Sequence, residues 1–267
     1  MISDAQQIAE AVTILRATVG SRLHGLALEG TDDRDEMGVC IEPPEYVVGT
    51  RQFEQWVHRT QPEGVRSGPG DIDLTIYGLR KFIRLAMSGN PTIILLLFAP
   101  AEFLHVCTPA GERLQALAPA LLSRRAGTAF LGYLTAQKQR LLGERGQKRV
   151  KRPELEDAHG YDTKYAMHIL RLGLQGVELL TTGRLTLPLP DGQRQFLLQV
   201  RRGEWSLDSV LTAAGIMERD LEDLRHTSPL PEEPDRAAVD RFLIDEYVQA
   251  WATALAVMPG DLVGWRA

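Results

Sequence analysis

Residues 20–39 constrain the fold of this chain more than any other stretch. They read Gly-Ser-Arg-Leu-His-Gly-Leu-Ala-Leu-Glu-Gly-Thr-Asp-Asp-Arg-Asp-Glu-Met-Gly-Val, between the apolar runs 14–19 and 37–41. Two short apolar runs separated by a Gly-Ser turn predict a strand, a brief helical crossover and a second strand. The second strand opens on Asp33-Arg34-Asp35. Residues i and i+2 of a strand share a face, so Asp33 and Asp35 project together. Two ionised carboxylates held that close repel unless a cation lies between them. A pair of hard oxygen donors suits Mg²⁺, which typically shares one or two carboxylates with substrate phosphates. Gly20 and Ser21 supply closely spaced backbone N–H groups and a hydroxyl, which a triphosphate tail needs.

A third carboxylate follows. Asp71-Ile72-Asp73-Leu74-Thr75-Ile76-Tyr77 alternates polar with apolar residues and reads as a half-buried strand. Asp71 and Asp73 share a face of this strand, so either offers a third carboxylate, and Asp73 has apolar neighbours on both sides. Further on, Lys164, His168 and Arg171 fall at i, i+4 and i+7 of a helix over 163–182, one continuous stripe. Ala166, Ile169 and Leu170 occupy the opposite, core-facing side. A stripe of three donors without an acid makes a poor salt-bridge ladder and a good polyanion clamp, although a solvated basic face has the same spelling.

These motifs resemble the nucleotidyltransferases of the DNA polymerase beta superfamily, whose signature is a Gly-Ser turn, a spacer of about a dozen residues, then paired acids. Ser21 and Asp33 are twelve positions apart. The spelling Gly-Ser-x-x-x-Gly…Asp-x-Asp-x-x-Gly-Val is most similar to the RNA repair pathway DNA polymerase beta family. Ile72-Asp73-Leu74 resembles the superfamily's third metal site. Lys-x-x-x-His-x-x-Arg followed by Leu179-Leu180-Thr181-Thr182-Gly183 resembles a helix of the family. The stretch from Leu79 to Pro91 is also family-like. Two positions depart from it: Asp32 stands where Ser is usual, and Leu95 where Glu is expected.

The resemblance implies transfer of a nucleoside monophosphate from an NTP to an acceptor hydroxyl, an RNA end in the first instance, with release of pyrophosphate. It implies that Asp33, Asp35 and Asp73 are catalytic and hold two Mg²⁺ ions, with Mn²⁺ as a substitute. Gly20, Ser21, Lys164 and Arg171 would meet the phosphates, and His168 would orient a phosphate or support the acids. Nucleotidylation of a protein or small molecule, or a non-catalytic nucleotide-sensing module, are the alternative readings.

The fold expected is α+β. A small mixed sheet with flanking helices (1–105, the catalytic head) precedes an α-helical domain (106–267) that completes the cleft. Ser3 or Asp4 caps a first helix with apolar positions Ile8, Ala11, Val12 and Leu15. Residues 51–70 are turn-rich and read as a loop, either over the active site or plain surface. Pro91 starts a helix where its missing N–H costs nothing. Further helices are expected over 126–142, 207–225 and 235–257, with a Pro/Glu linker at 229–234.

Arg145, Lys148, Arg149, Lys151 and Arg152 make a basic segment that either grips nucleic acid or is disordered. Arg201-Arg202-Gly203 is a smaller basic patch with the same two readings. A net charge of −5 argues against a uniformly basic nucleic-acid coat, not against a local groove. Cys40 and Cys107, both in apolar surroundings, read as buried free thiols of a reducing compartment. With no leader-like N-terminus or membrane span, a cytoplasmic location is expected.

Overall fold

The computed structural model describes residues 4–28, 30, 33–62, 65, 67–144 and 152–257. Of the basic segment expected over 145–152, only Arg152 belongs to the described residues.

Among these residues a single mixed sheet is built from β1 (Thr13–Thr18), β2 (Arg34–Cys40), β3 (Gln55–Arg59), β4 (Ile72–Gly78) and β5 (Leu104–Cys107). Their order is β3-β4-β2-β1-β5. β2 and β4 run parallel, and the other neighbours are antiparallel. β2 is central and buried from Glu36 onward, as expected of a strand covered on both faces. β4 alternates buried and half-buried positions along its length. The parallel register sets Asp35 directly opposite Asp73.

The expected head, 1–105, also carries α1 (Asp4–Ala11), α2 (Gly20–Leu23), α3 (Pro44–Val47), α4 (Leu79–Met87) and α5 (Pro91–Leu97). α4 buries Leu79, Phe82, Ile83 and Ala86. Asn90 caps α5 by accepting from the N–H groups of Thr92 and Ile93, and Pro91 takes the first helical position. The expected helical half, 106–267, carries α6 (Pro109–Ala116), α7 (Ala118–Leu121), α8 (Arg125–Leu141), α9 (Pro153–His159), α10 (Thr163–Thr182), α11 (Asp191–Arg201), α12 (Leu207–Thr227) and α13 (Arg236–Val257). One apolar core runs through both halves, joining Phe82 and Leu121 to Phe130, Leu170 and Leu180. The expected division near residue 105 falls within β5. Among the described residues no helix is long and apolar enough to cross a membrane.

Four local expectations need correction. α1 stops at Ala11, not Leu15, because Leu15 pairs in the sheet with Val39 on one side and Cys107 on the other. Residues 51–70 are not all loop: β3 pairs with β4 from Gln55 opposite Tyr77 to Arg59 opposite Asp73, and its Trp56 packs on Leu74 and Ile76 in a small second core. Cys107 is exposed on the edge strand β5, whereas Cys40 is buried. Arg201 is buried and donates to the Leu26 carbonyl, so it is not part of a surface patch.

Candidate active site

At the end of β1 the chain must turn sharply, and Gly20 does this at φ +64°, a conformation that side-chain-bearing residues rarely adopt. Space imposes the same choice: a Cβ on Gly20 would lie 2.0 Å from Asp35 Oδ2. The Val19 N–H donates to the Asp35 carbonyl at 2.9 Å, locking the turn against the start of β2. Asp33 precedes β2 by one residue, Asp35 lies within it, and Asp73 comes from the neighbouring β4. One oxygen of each of the three carboxylates lies within 4.8 Å of the others.

Asp73 is held from several sides. Its Oδ1 accepts from Gln61 Nε2 at 2.9 Å, its Oδ2 accepts from Ser67 Oγ at 2.7 Å, and Arg59 Nε lies 3.2 Å from Oδ1. Asp71 takes a different position. It accepts from Thr60 Oγ1 and from the Gly68 N–H, both at 2.9 Å, and so closes the turn ahead of β4. The fallback ligand thus serves the loop, and Asp73 is the acid that joins Asp33 and Asp35.

The triad opens into a cleft of about 500 Å³. Gly20 and Ser21 line one side, and Lys164, His168 and Arg171 of α10 line another. α10 starts where Asp162 accepts from the N–H groups of Lys164 and Tyr165, and it ends at Gly183 in the left-handed region. The stripe on α10 is not a solvated face. Arg171 is only 9% exposed. Its Nη1 donates to His24 Nε2 at 2.6 Å and to Gln175 Oε1 at 2.8 Å, and its Nη2 donates to His168 Nδ1 at 2.8 Å. A guanidinium only donates, so both imidazoles accept through an unprotonated nitrogen. Burial, reinforced by the Arg171 charge, holds His24 and His168 well below the ordinary histidine value. Burial pushes Arg171 down to about 10, which leaves it cationic at neutral pH.

The partners of Arg171 are therefore neutral, and among the described residues no carboxylate pairs with it. A buried cation without a counter-charge is costly unless an anion completes its surroundings. This one lines the same cleft as the acid triad.

Two residues that line this cleft, His24 and Arg152, were not singled out for it by sequence reasoning, which gave His24 no role and Arg152 only a share in a basic segment. His24 was visible only as a neighbour of the Gly-Ser turn, yet it links that turn to α10 through Arg171. Arg152 looked like one cation among five. It is singled out by its Nη1 contact of 3.1 Å with Asp162 and by its guanidinium lying 5.4 Å from the Tyr165 ring centroid. Its Nε is buried and has no hydrogen-bond partner among the described residues. Arg22, next to the turn, is exposed and does not line the cleft.

A comparison with curated proteins found no match. Among solved structures, the chain is similar to a nucleotidyltransferase-like protein from Exiguobacterium sibiricum at 13% identity, covering 91% of this chain and 77% of that one with a TM-score of 0.28. That likeness is too remote to carry an argument. The sequence model of one family, by contrast, matches residues 2–245, a span that contains the glycine turn, all three acids and the whole of α10. By this match the chain belongs to the RNA repair pathway DNA polymerase beta family.

Proposed function

We infer that the protein moves a nucleoside monophosphate from an NTP to an acceptor hydroxyl and releases pyrophosphate. The observation that carries this reading is the convergence of Asp33, Asp35 and Asp73 at a cleft that the Arg171 guanidinium, which has no carboxylate partner among the described residues, also lines. Three clustered carboxylates that offer hard oxygens fit Mg²⁺ or Mn²⁺, with Asp33, Asp35 and Asp73 as the ligands. Such ions, when bound, neutralise phosphate charge and stabilise the attacking and leaving oxygens of an in-line displacement.

The chain's own groups do the rest. The Gly20 backbone and Ser21 bind the β- and γ-phosphates. Arg171 and Lys164 balance the charge that builds up on the leaving pyrophosphate, with His168 and His24 orienting the Arg171 guanidinium. The acceptor oxygen forms a bond to the α-phosphorus as the bond from that phosphorus to the bridging oxygen of pyrophosphate breaks. The hydroxyl proton passes to Asp73. An RNA end is the acceptor favoured by the family's description, and the cytoplasm is the compartment that suits such a reaction.

The test is pyrophosphate release from each NTP with Mg²⁺ or Mn²⁺, with and without RNA, followed by transfer of α-labelled nucleotide to RNA. Wild type should release pyrophosphate and label RNA. Asp33→Asn and Asp35→Asn should lower the rate at least about a hundredfold while the circular dichroism spectrum is retained, since loss of even an outer-shell metal partner costs about 10–100-fold. Near-native turnover in both variants, or no release from any NTP by wild type, would overturn the reading.

A further inference from the structure

Apart from Glu36 Oε1, which is ion-paired with Arg34, two side chains lining the cleft bring a buried polar atom that no described residue satisfies, and the two atoms are of opposite character. Arg152 Nε is a donor, which phosphate oxygens can meet. Gln137 Oε1 is an acceptor, which a fully ionised phosphate cannot meet because it has no proton to give. Gln137 is conspicuous on its helix. The inward stripe of α8 runs through Ala126, Phe130, Leu134 and Leu141, all buried and apolar. At 137, on the same stripe, a carboxamide interrupts it and reaches the cleft. Leaving a buried carbonyl oxygen without a donor costs stability, so a helix that needed only to pack would gain by an apolar residue here. The apolar residues Leu26, Leu95 and Met167 line the same cleft and suit the faces of a nucleoside.

We propose that Gln137 is a specificity-determining residue that reads the nucleoside half of the bound nucleotide. Its Oε1 accepts a hydrogen bond from an N–H of the base or an O–H of the ribose, while Arg152, Arg171 and Lys164 engage the triphosphate. This assignment rests on the nucleotidyltransferase reading above and adds to it the group that tells one nucleotide from another.

The experiment uses the full chain and measures binding by calorimetry with Mg²⁺. The ligands are the non-hydrolysable α,β-methylene analogues of the four ribonucleotides and their 2′-deoxy forms, with inorganic tripolyphosphate as the nucleoside-free probe. Gln137→Leu should lose about three- to tenfold in affinity for the nucleotide that wild type prefers, the value of one hydrogen bond. Its affinity for tripolyphosphate should be unchanged. Loss confined to one base assigns the donor to the base, and loss shared by all ribonucleotides but absent from the deoxy forms assigns it to the ribose. The melting temperature of the ligand-free variant should be equal to or above that of wild type, because the buried orphan is gone. Gln137→Met serves as a second variant of similar length.

Wild-type protein that binds neither nucleotides nor tripolyphosphate overturns the nucleotidyltransferase reading, and this assignment with it. Wild type that binds nucleotides, with both variants binding all of them equally well, overturns the role of Gln137 alone. An equal loss for nucleotides and tripolyphosphate, or a melting temperature lowered in both variants, assigns Gln137 to structure and overturns it too.

Discussion

Gly20 cannot accept a side chain, and the reason is local to two atoms. Gly20→Ala forces a methyl onto Asp35 Oδ2 and sets an L-residue at φ +64°. The left-handed conformation costs about 1–2 kcal/mol, and relief of the clash turns the Asp35 carboxylate away from its two partners. The expected outcome is a folded protein, less stable by about that amount in urea titration, that releases pyrophosphate at least about a hundredfold more slowly. An active Gly20→Ala variant would show that Asp35 need not hold its observed position. The acids of β4 allow a sharper comparison. Asp73→Ala should abolish transfer, whereas Asp71→Ala removes only contacts to Thr60 and Gly68 and should keep most of the activity. Equal losses in a side-by-side rate assay would remove the distinction. The acids themselves were legible in the sequence because the apolar run of β2 marks a strand with Asp35 near its start and Asp33 immediately before it. Arg152 and Gln137 were not legible. Nothing local separates Arg152 from four neighbouring cations, and Gln137 becomes unusual only once its helix is docked.

At the scale of the element, α10 was the most readable part of the chain. Its expected bounds, 163–182, coincide with the helix Thr163–Thr182, because strong apolar periodicity ends at Gly183, a residue at ease in the left-handed C-cap. What periodicity could not tell was which way the polar stripe faces. It faces protein: the turn carrying His24 packs over it, and Arg171 is enclosed. β3 was hidden for the opposite reason. Its strand character comes from pairing with β4, a long-range contact that leaves little mark on a turn-rich local sequence. The enclosure of Arg171 has a measurable consequence. Arg171→Met removes a buried cation while leaving a chain of similar length. NTP affinity should fall about tenfold, as expected for loss of one charge-assisted contact. The imidazoles of His24 and His168, relieved of the neighbouring positive charge, should titrate closer to 6.5 in NMR than they do in wild type. Unaltered histidine titration together with unaltered NTP affinity would return Arg171 to a purely structural role.

Across the whole molecule the head and the helical half are tied at the end of the sheet remote from the acids. Glu42 follows β2 and is 3% exposed. Its Oε2 accepts from Tyr247 Oη at 2.7 Å and from the Leu79 N–H at 2.9 Å, and Trp251 Nε1 donates to the Glu42 carbonyl at 2.9 Å. Nearby, Arg113 grips Glu246 of the same helix, α13, at 2.5 and 2.8 Å. α13 is thus a strap from the C-terminal side of the chain back onto the head. Burial raises the Glu42 pKa above the usual glutamate value, only partly offset by its hydrogen-bond donors. A raised folded-state value means that the contribution of Glu42 to stability is complete below the unfolded value of 4.5 and is lost as pH rises through the folded one. The buried histidines work in the other direction. Their lowered values make stability complete above 6.5 and cause it to fall as pH drops below that. The two sites can be separated by Glu42→Gln, which keeps the side chain's shape and removes its titration. The melting-temperature difference, wild type minus Glu42→Gln, should be most favourable to wild type near pH 4.5 and should shrink steadily toward pH 8. The loss of stability below pH 6.5 due to His24 and His168 should persist in both proteins. A difference that stays flat, or that grows in favour of wild type as pH rises, would mean that Glu42 remains ionised in the folded protein throughout and that the strap is held by a charge rather than by a buried, proton-sensitive carboxyl.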